Sequence, residues 1–279
     1  MKKILIIGAS GFVGAHLYKH LSSFKEYELF GTYYTQNKKG LIFLDYSDKI
    51  SFLETLKNVK PDIVIWSAGE KNLDRTENDI SFDIKENLEP IKTIVAWQKR
   101  VNISNPHLLF ISSDYVFSGE KGNYTAKDIP DPQTKYGLSK YYSELEILRN
   151  STNFCILRVG GIIGEGGKFF DWIYNEIKNH KSIELYLEYF SPTPIKTLCE
   201  GINLVIQQNL KGVFHISGNK RISKYIFGIQ LKECLSSSKS DLTEKIKSKN
   251  SNIEDRSLIR SKEFIRLSDL KDFFNTLKP

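Results

Sequence analysis

Tyr136-Gly-Leu-Ser-Lys140 sets a phenol and an ammonium four residues apart, a spacing that on a helix puts both on one face about one turn apart. A free tyrosine titrates near ~10 and is a slow proton donor at neutral pH, and a neighbouring cation favours its phenolate. Tyr136 is thus a candidate general acid and Lys140 the group that lowers its pKa. In a chain with 14 tyrosines and 40 lysines and arginines, Y-x-x-x-K by itself is weak, an accidental surface pair being the plain alternative. Ser112-Ser113, closing an apolar run, adds a third group: the Ser113 hydroxyl is placed to hydrogen-bond a substrate carbonyl and the alkoxide that develops from it.

A second constellation lies at the start of the chain. Gly8-Ala-Ser-Gly11-Phe-Val-Gly14 follows the apolar run Ile4 to Ile7 and opens a helical pattern, the context a dinucleotide-binding loop requires. Gly8 permits a tight turn, Gly11 lets backbone approach a pyrophosphate, and Gly14 lets helix pack closely on strand, while helix N-terminal amides attract phosphate. Ser10, Phe12 and Val13 lie between these glycines and complete the candidate contact set. The second strand ends in Gly31-Thr-Tyr-Tyr-Thr-Gln36, without the carboxylate that would hold the ribose 2′-hydroxyl of NAD. Lys38 and Lys39 follow, so NADPH is favoured over NADH, with Lys38 toward a 2′-phosphate and solvated lysines as the alternative. Asp45, ending the third strand with Tyr46 beside it, is a candidate for the adenine amino group. Ser67-Ala68-Gly69 after the fourth strand gives the cofactor room to pass, and Val159 ends the sixth.

These residues need a scaffold that gathers strand ends. Lys3 to Ile7, Glu28 to Tyr33, Leu41 to Leu44, Asp62 to Trp66, His107 to Ser112 and Phe154 to Arg158 are short apolar runs separated by helix-compatible sequence. Strand and helix in alternation imply a parallel sheet covered on both faces, an α/β fold of the Rossmann-type, doubly wound kind. Ligands bind such sheets at the carboxyl ends of the strands. The Pro130 and Pro132 stretch predicts a surface loop from Ser118 to Thr134, leading into a helix over 135–148. A dinucleotide-binding domain is expected over 1–158 and a smaller, mainly substrate-binding region over 159–279, some of whose segments can return to the sheet. Ser236 to Ser251, polar and lysine-rich, reads as a loop.

Composition excludes several classes. Forty per cent apolar and 26% charged residues in 279 are ordinary globular proportions. The formal charge of +7 comes from lysines spread along the chain and densest over 220–262, a solvated face rather than a nucleic-acid footprint. An anionic ligand such as a nucleotide is compatible with it. No apolar run approaches the roughly 20 residues needed to cross a bilayer, and no secretory segment precedes the first strand, so no membrane role and a cytoplasmic location are expected. Cys155, Cys199 and Cys234 are too far apart for a zinc site and odd in number, so free thiols and no metal are expected.

Taken in order, G-x-x-G-x-x-G, a serine after the fifth strand and Y-x-x-x-K make the chain resemble the extended short-chain dehydrogenase/reductase family. Ser112-Ser-Asp-Tyr-Val-Phe117 followed by Tyr136-Gly-Leu-Ser-Lys140 is similar to its dTDP-4-dehydrorhamnose reductase branch, which usually has Thr where Ser113 stands. That resemblance implies reduction of a 4-keto group on a nucleotide-linked deoxysugar, with catalytic roles for Ser113, Tyr136 and Lys140. It also implies that Lys140 holds the nicotinamide ribose and that Asp114 and Tyr115 face the sugar. Ser191-Pro-Thr193 resembles a segment lining the family's substrate pocket. The chain departs from the pattern at Arg158-Val-Gly-Gly-Ile162, where Gly161 stands in place of a substrate-contacting Trp, so the sugar pocket must differ. Arg256 is a candidate diphosphate contact. The same motifs also fit a nucleotide-sugar epimerase or dehydratase that retains NAD, although Asp114-Tyr115 is not the Asp-Glu pair usual in such dehydratases. They fit as well a non-catalytic, NADP-binding regulatory subunit like that of methionine adenosyltransferase. The sequence leaves quaternary state open, a homodimer included.

Overall fold

Ile4, Leu5, Ile6 and Ile7 are all fully buried, because a strand covered on both faces must be apolar at successive positions. They form the centre of β1 (Lys2–Ile7), which pairs in parallel with β2 (Tyr27–Tyr33) on one side and β4 (Ile63–Trp66) on the other. β3 (Ile42–Phe43) continues beyond β2, and β5 (His107–Ile111) and β6 (Phe154–Val159) beyond β4, again in parallel. With β7 (Gly212–Ile216) at the far edge, the sheet runs β7-β6-β5-β4-β1-β2-β3. The strand order reverses at β1, so the β1 and β4 carboxyl ends flank a switch point, where such sheets bind ligands. This computed structural model describes residues 1–69, 86–101, 106–235, 240–245 and 253–278.

The chain divides into two compact units: residues 1–116, 130–157 and 202–214, and residues 117–129, 158–201 and 215–279. In the first, helices α1 (Phe12–Leu21), α2 (Lys49–Val59), α3 (Glu89–Arg100) and α4 (Lys135–Asn150) cover the sheet. Its core joins Leu5, Phe52, Trp66, Ile94, Phe110, Ile147 and Ile156, each such side chain contributing about 1.5–3 kcal/mol by leaving water. Local signals mark the helix ends. Asp48 caps α2 through Ile50 N, and Lys60 closes it in the left-handed conformation, immediately before Pro61. Thr134 caps α4 by accepting from Gly137 N at 3.0 Å, satisfying one of the amides that lack intrahelical partners.

In the second unit α5 (Lys168–Lys178) and α6 (Lys224–Cys234) bury Phe170, Ile173, Phe227 and Leu231 in a cluster with Ile183, Leu185 and Phe190. Two expectations change here. Residues 118–129 are not simply a surface loop, for Tyr124 is 3% exposed and stacks on Phe117 at 4.2 Å. The chain coils round the Tyr124 hydroxyl, which accepts from Gly119 N and Lys121 N, both at 3.1 Å. The proline-rich sequence read as exposed because its buried part is held by one aromatic residue rather than by a periodic pattern. Within 236–251, Leu242–Lys245 is a strand paired in parallel with Ile183–Tyr186. Its four residues take their structure from that partner, while 236–239 and 246–252 lie outside the described residues.

Cys155 and Cys199 are buried free thiols and Cys234 is a half-buried one; burial pushes Cys199 up to about 12, which suppresses the reactive thiolate. Among the described residues no cluster could hold a metal, and no helix is long and apolar enough to cross a membrane. Burial and the charge of Lys211 hold His107 down to about 4, and burial with Arg158 holds His215 down to about 3. The unfolded imidazoles titrate near ~6.5, so below that pH the unfolded chain binds more protons and stability falls with pH. We expect the urea midpoint to drop from pH 6.5 to 5, above the carboxylate range. Replacing both histidines by Gln should flatten that segment of the stability–pH curve, whatever the variant's absolute stability.

Candidate active site

The β5 backbone stays in register with β6 through Ser112 N to Leu157 O at 2.8 Å, and the chain then turns through a short 3₁₀ segment, Asp114–Val116. Ser113 sits at that turn, half-buried. Its hydroxyl donates to Asp114 Oδ1 at 3.0 Å and accepts from Tyr115 N at 3.2 Å. The Asp114 carboxylate is itself buried and so serves to orient the Ser113 hydroxyl. α4 passes beside the same turn: the Tyr136 ring meets that of Tyr115 edge-on at 5.8 Å, and Lys140 Nζ lies 5.8 Å from the Tyr136 ring centroid and 5.2 Å from that of Phe110. Lys140 is 3% exposed, so its cation works in a low-dielectric setting where it acts more strongly than at a surface. Gly137 makes this approach feasible, because a Cβ there would overlap the Tyr115 carbonyl oxygen.

At the switch point, Gly8 turns with φ +83° and its N–H donates to Thr32 Oγ1 at 3.0 Å. Gly14 brings α1 so close that a side chain would overlap the Gly8 carbonyl oxygen. Gly11 caps α1 with no side-chain hydrogen bond, and no acid stands in the first turn. Phe12 and Val13 begin the helix. A Cβ on Gly11 would meet only Gly8 O, at 3.4 Å, leaving a cradle at a helix N-terminus that suits a pyrophosphate. Lys38 Nζ donates to Ser10 O at 3.3 Å, so this exposed lysine stands over the loop. Ser67 is turned inward, its Oγ on Ile7 O at 2.7 Å, and Ala68 lies against Gly8. Asp45 Oδ1 accepts from Ser47 N at 2.9 Å and Ser47 Oγ at 2.6 Å. Tyr46 packs edge-on to Trp66 and donates to Glu86 Oε2 at 3.0 Å.

Two residues of this unit were not found from sequence. Asn87, 1% exposed, has its Oδ1 where a Gly69 side chain would stand, and that same point is 3.6 Å from Lys140 Nζ. Glu144, fully buried, accepts from Ser112 Oγ at 2.6 Å. Asn87 carried no signal; Glu144 did, standing four residues beyond Lys140 on the same helix face.

In the second unit, Val159 is buried at the end of β6, and Gly161 faces the Phe190 ring, which a Cβ would reach at 2.8 Å. Ser191 Oγ donates to Leu258 O and accepts from Leu258 N, both at 3.1 Å. Thr193 Oγ1 donates to Ser191 O at 3.1 Å and accepts from Gly218 N at 3.3 Å. Both side chains are buried, and their hydroxyls brace neighbouring backbone. Arg256 is paired with Glu254 and donates to Ser118 O at 3.2 Å.

Residues 1–262 match the RmlD substrate binding domain family. The chain belongs to this family. Among its relatives, the methionine adenosyltransferase 2 subunit beta of Xenopus laevis is 27% identical over 240 residues, 80% of this chain and 69% of that protein. The dTDP-4-dehydrorhamnose reductase of Aggregatibacter actinomycetemcomitans is also 27% identical over 240 residues, covering 83% of this chain and 78% of that one. The crystal structure of a hypothetical dTDP-4-dehydrorhamnose reductase from Sulfolobus tokodaii superposes with a TM-score of 0.86 at 29% identity, over 97% of this chain and 96% of that one. RmlD-family membership thus agrees with the resemblance carried by the three motifs.

Gly137→Ala drives a methyl group into backbone that cannot move without shifting the Ser113 turn. We expect a loss of about 1–3 kcal/mol of unfolding free energy in urea titration. Tyr142→Ala, at an exposed position of the same helix, should shift it by less than about 0.5 kcal/mol.

Proposed function

We propose that the chain is an oxidoreductase that uses NAD(P)H to reduce a keto group, at C4, of a nucleotide-activated deoxysugar. The observation that supports this most is the meeting of the Ser113 turn with the α4 face that carries Tyr136 and Lys140. Reductases of this name among the relatives agree with it. The dinucleotide, held by the Gly8 to Gly14 loop with Lys140 on its nicotinamide ribose, supplies a hydride to the carbonyl carbon when bound. Ser113 hydrogen-bonds the carbonyl oxygen, its hydroxyl oriented by Asp114. Tyr136 gives its phenolic proton to that oxygen as the alcohol forms and is reprotonated from solvent, so one hydride and one proton are consumed per turnover. The cation of Lys140 favours the phenolate left behind. Tyr115, Gly161, Ser191, Thr193 and Arg256 are the residues we assign to the sugar and its diphosphate, the two hydroxyls by fixing backbone rather than by direct contact.

The cofactor is NADPH rather than NADH on this reading, because the second strand ends without a carboxylate and Lys38 stands over the loop. The relatives that are adenosyltransferase subunits favour a second reading, a regulatory protein that binds NADP without turnover.

Purified protein given 4-keto nucleotide sugars should oxidise NADPH, and Tyr136→Phe should lower that rate by about 10²-fold or more with NADPH affinity unchanged. Full activity in Tyr136→Phe would end the mechanism; a stable complex with an adenosyltransferase and no turnover would favour the regulatory reading. Lys38→Glu should weaken NADPH about tenfold or more while leaving NADH affinity within about twofold, since a charged hydrogen bond is lost only toward the 2′-phosphate. Equal losses for both cofactors, measured by fluorescence titration, would assign Lys38 elsewhere.

A further inference from the structure

Ser112 and Glu144 are 32 residues apart, yet the Ser112 hydroxyl donates to Glu144 Oε1 at 2.6 Å, with Glu144 fully buried and Ser112 5% exposed. A carboxylate is costly to bury unless it is held by hydrogen bonds, so its place in the protein demands an explanation beyond packing. Its position supplies one. Glu144 is four residues past Lys140 and eight past Tyr136, on the α4 face that carries both. Ser112 immediately precedes Ser113. At about 1.5 Å per residue, Glu144 lies about 10 Å along the helix from Gly137, where α4 rests on the Tyr115 carbonyl. α4 is therefore fastened to the Ser112–Tyr115 backbone at two separated points, with Lys140 between them.

We propose that Glu144, acting through Ser112, is a positioning residue for the reaction: the hydrogen bond holds the pitch of α4 so that Tyr136 and Lys140 stay in register with the Ser113 hydroxyl. Gly137 sets α4 against the Tyr115 carbonyl, and the Ser112 hydrogen bond sets it against the same turn again about two helical turns later, beside the Ser143 Oγ to Asn87 O bond and the buried Ile147. The proposal rests on the reductase reading for its catalytic consequence, but not for its geometry.

The test compares Glu144→Leu, Glu144→Gln and Ser112→Ala, each assayed well below its own unfolding midpoint, by kcat on a 4-keto nucleotide sugar and by NADPH affinity. Glu144→Gln keeps a hydrogen-bonding amide and should stay within about threefold of the parent on both. Glu144→Leu should lower kcat by about tenfold or more, the scale on which small misplacements act, and weaken NADPH severalfold through Lys140, with the KM for the sugar little changed. Ser112→Ala, which deletes one oxygen, should reproduce these losses in part, and the double variant should be no worse than Glu144→Leu. If Glu144→Leu does not fold, Ser112→Ala decides. Parental kcat and NADPH affinity in Ser112→Ala, additive losses in the double variant, or a Glu144→Gln as impaired as Glu144→Leu would each overturn the proposal. If the parent protein binds NADPH but reduces no keto sugar, it is the reductase reading that fails, and the NADPH affinities still decide the role of Glu144.

Discussion

Parallel pairing of β1 with both β2 and β4 is the constraint from which the site follows. Each parallel neighbour must be reached by a crossover, and the right-handed crossovers on either side of β1 send their helices to opposite faces. The loops leaving β1 and β4 come together at that edge: Ala68 touches Gly8, and Ser67 Oγ is bonded to Ile7 O. An uncapped helix N-terminus opens onto this edge because α1 begins directly after Gly11. The open helix N-terminus at that edge is therefore a consequence of strand order combined with three glycines, Gly8, Gly11 and Gly14.

Ser113, Tyr136 and Lys140 are gathered by a second approach, between α4 and the turn after β5. Neither Tyr136 nor Ser113 determines its own position. The helix is set by what lies on either side of them: the Thr134 cap, the bare Gly137 Cα against the Tyr115 carbonyl, and the Ser112 to Glu144 hydrogen bond. Residues that fix the helix thus flank Tyr136 and Lys140 along α4, and the buried Glu144 side chain accepts a hydrogen bond from the Ser112 hydroxyl.

In the second unit the Phe190 ring lies over Gly161, so close that a Cβ there would reach it at 2.8 Å. The aromatic surface comes from a different strand and packs with Phe169 and Phe227, so restoring a large side chain at 161 would require the ring to leave that cluster. The polar residues here, Ser191 and Thr193, hold Leu258 and Gly218 by their backbones.

The sequence by itself determined whatever is local. Continuous apolar runs marked the buried strands, the glycine spacing marked the turn into α1, and Y-x-x-x-K on a helix put two groups on one face, since 3.6 residues per turn leaves no other outcome. It also ruled out structure that needs long apolar spans. Tertiary structure decided what depends on residues distant in the chain. Leu242–Lys245 is a strand only because Ile183–Tyr186 lies beside it, and the Ser191 hydroxyl is spent on Leu258, 67 residues away. Helix spacing puts Glu144 on the face of Lys140, but its bond to Ser112, 32 residues away, and the approach of Asn87 to Gly69 are recorded by no periodicity. A hydrogen bond between side chains is specified by where two backbones arrive, and that is settled by the packing of the whole unit rather than by either residue's neighbours in sequence.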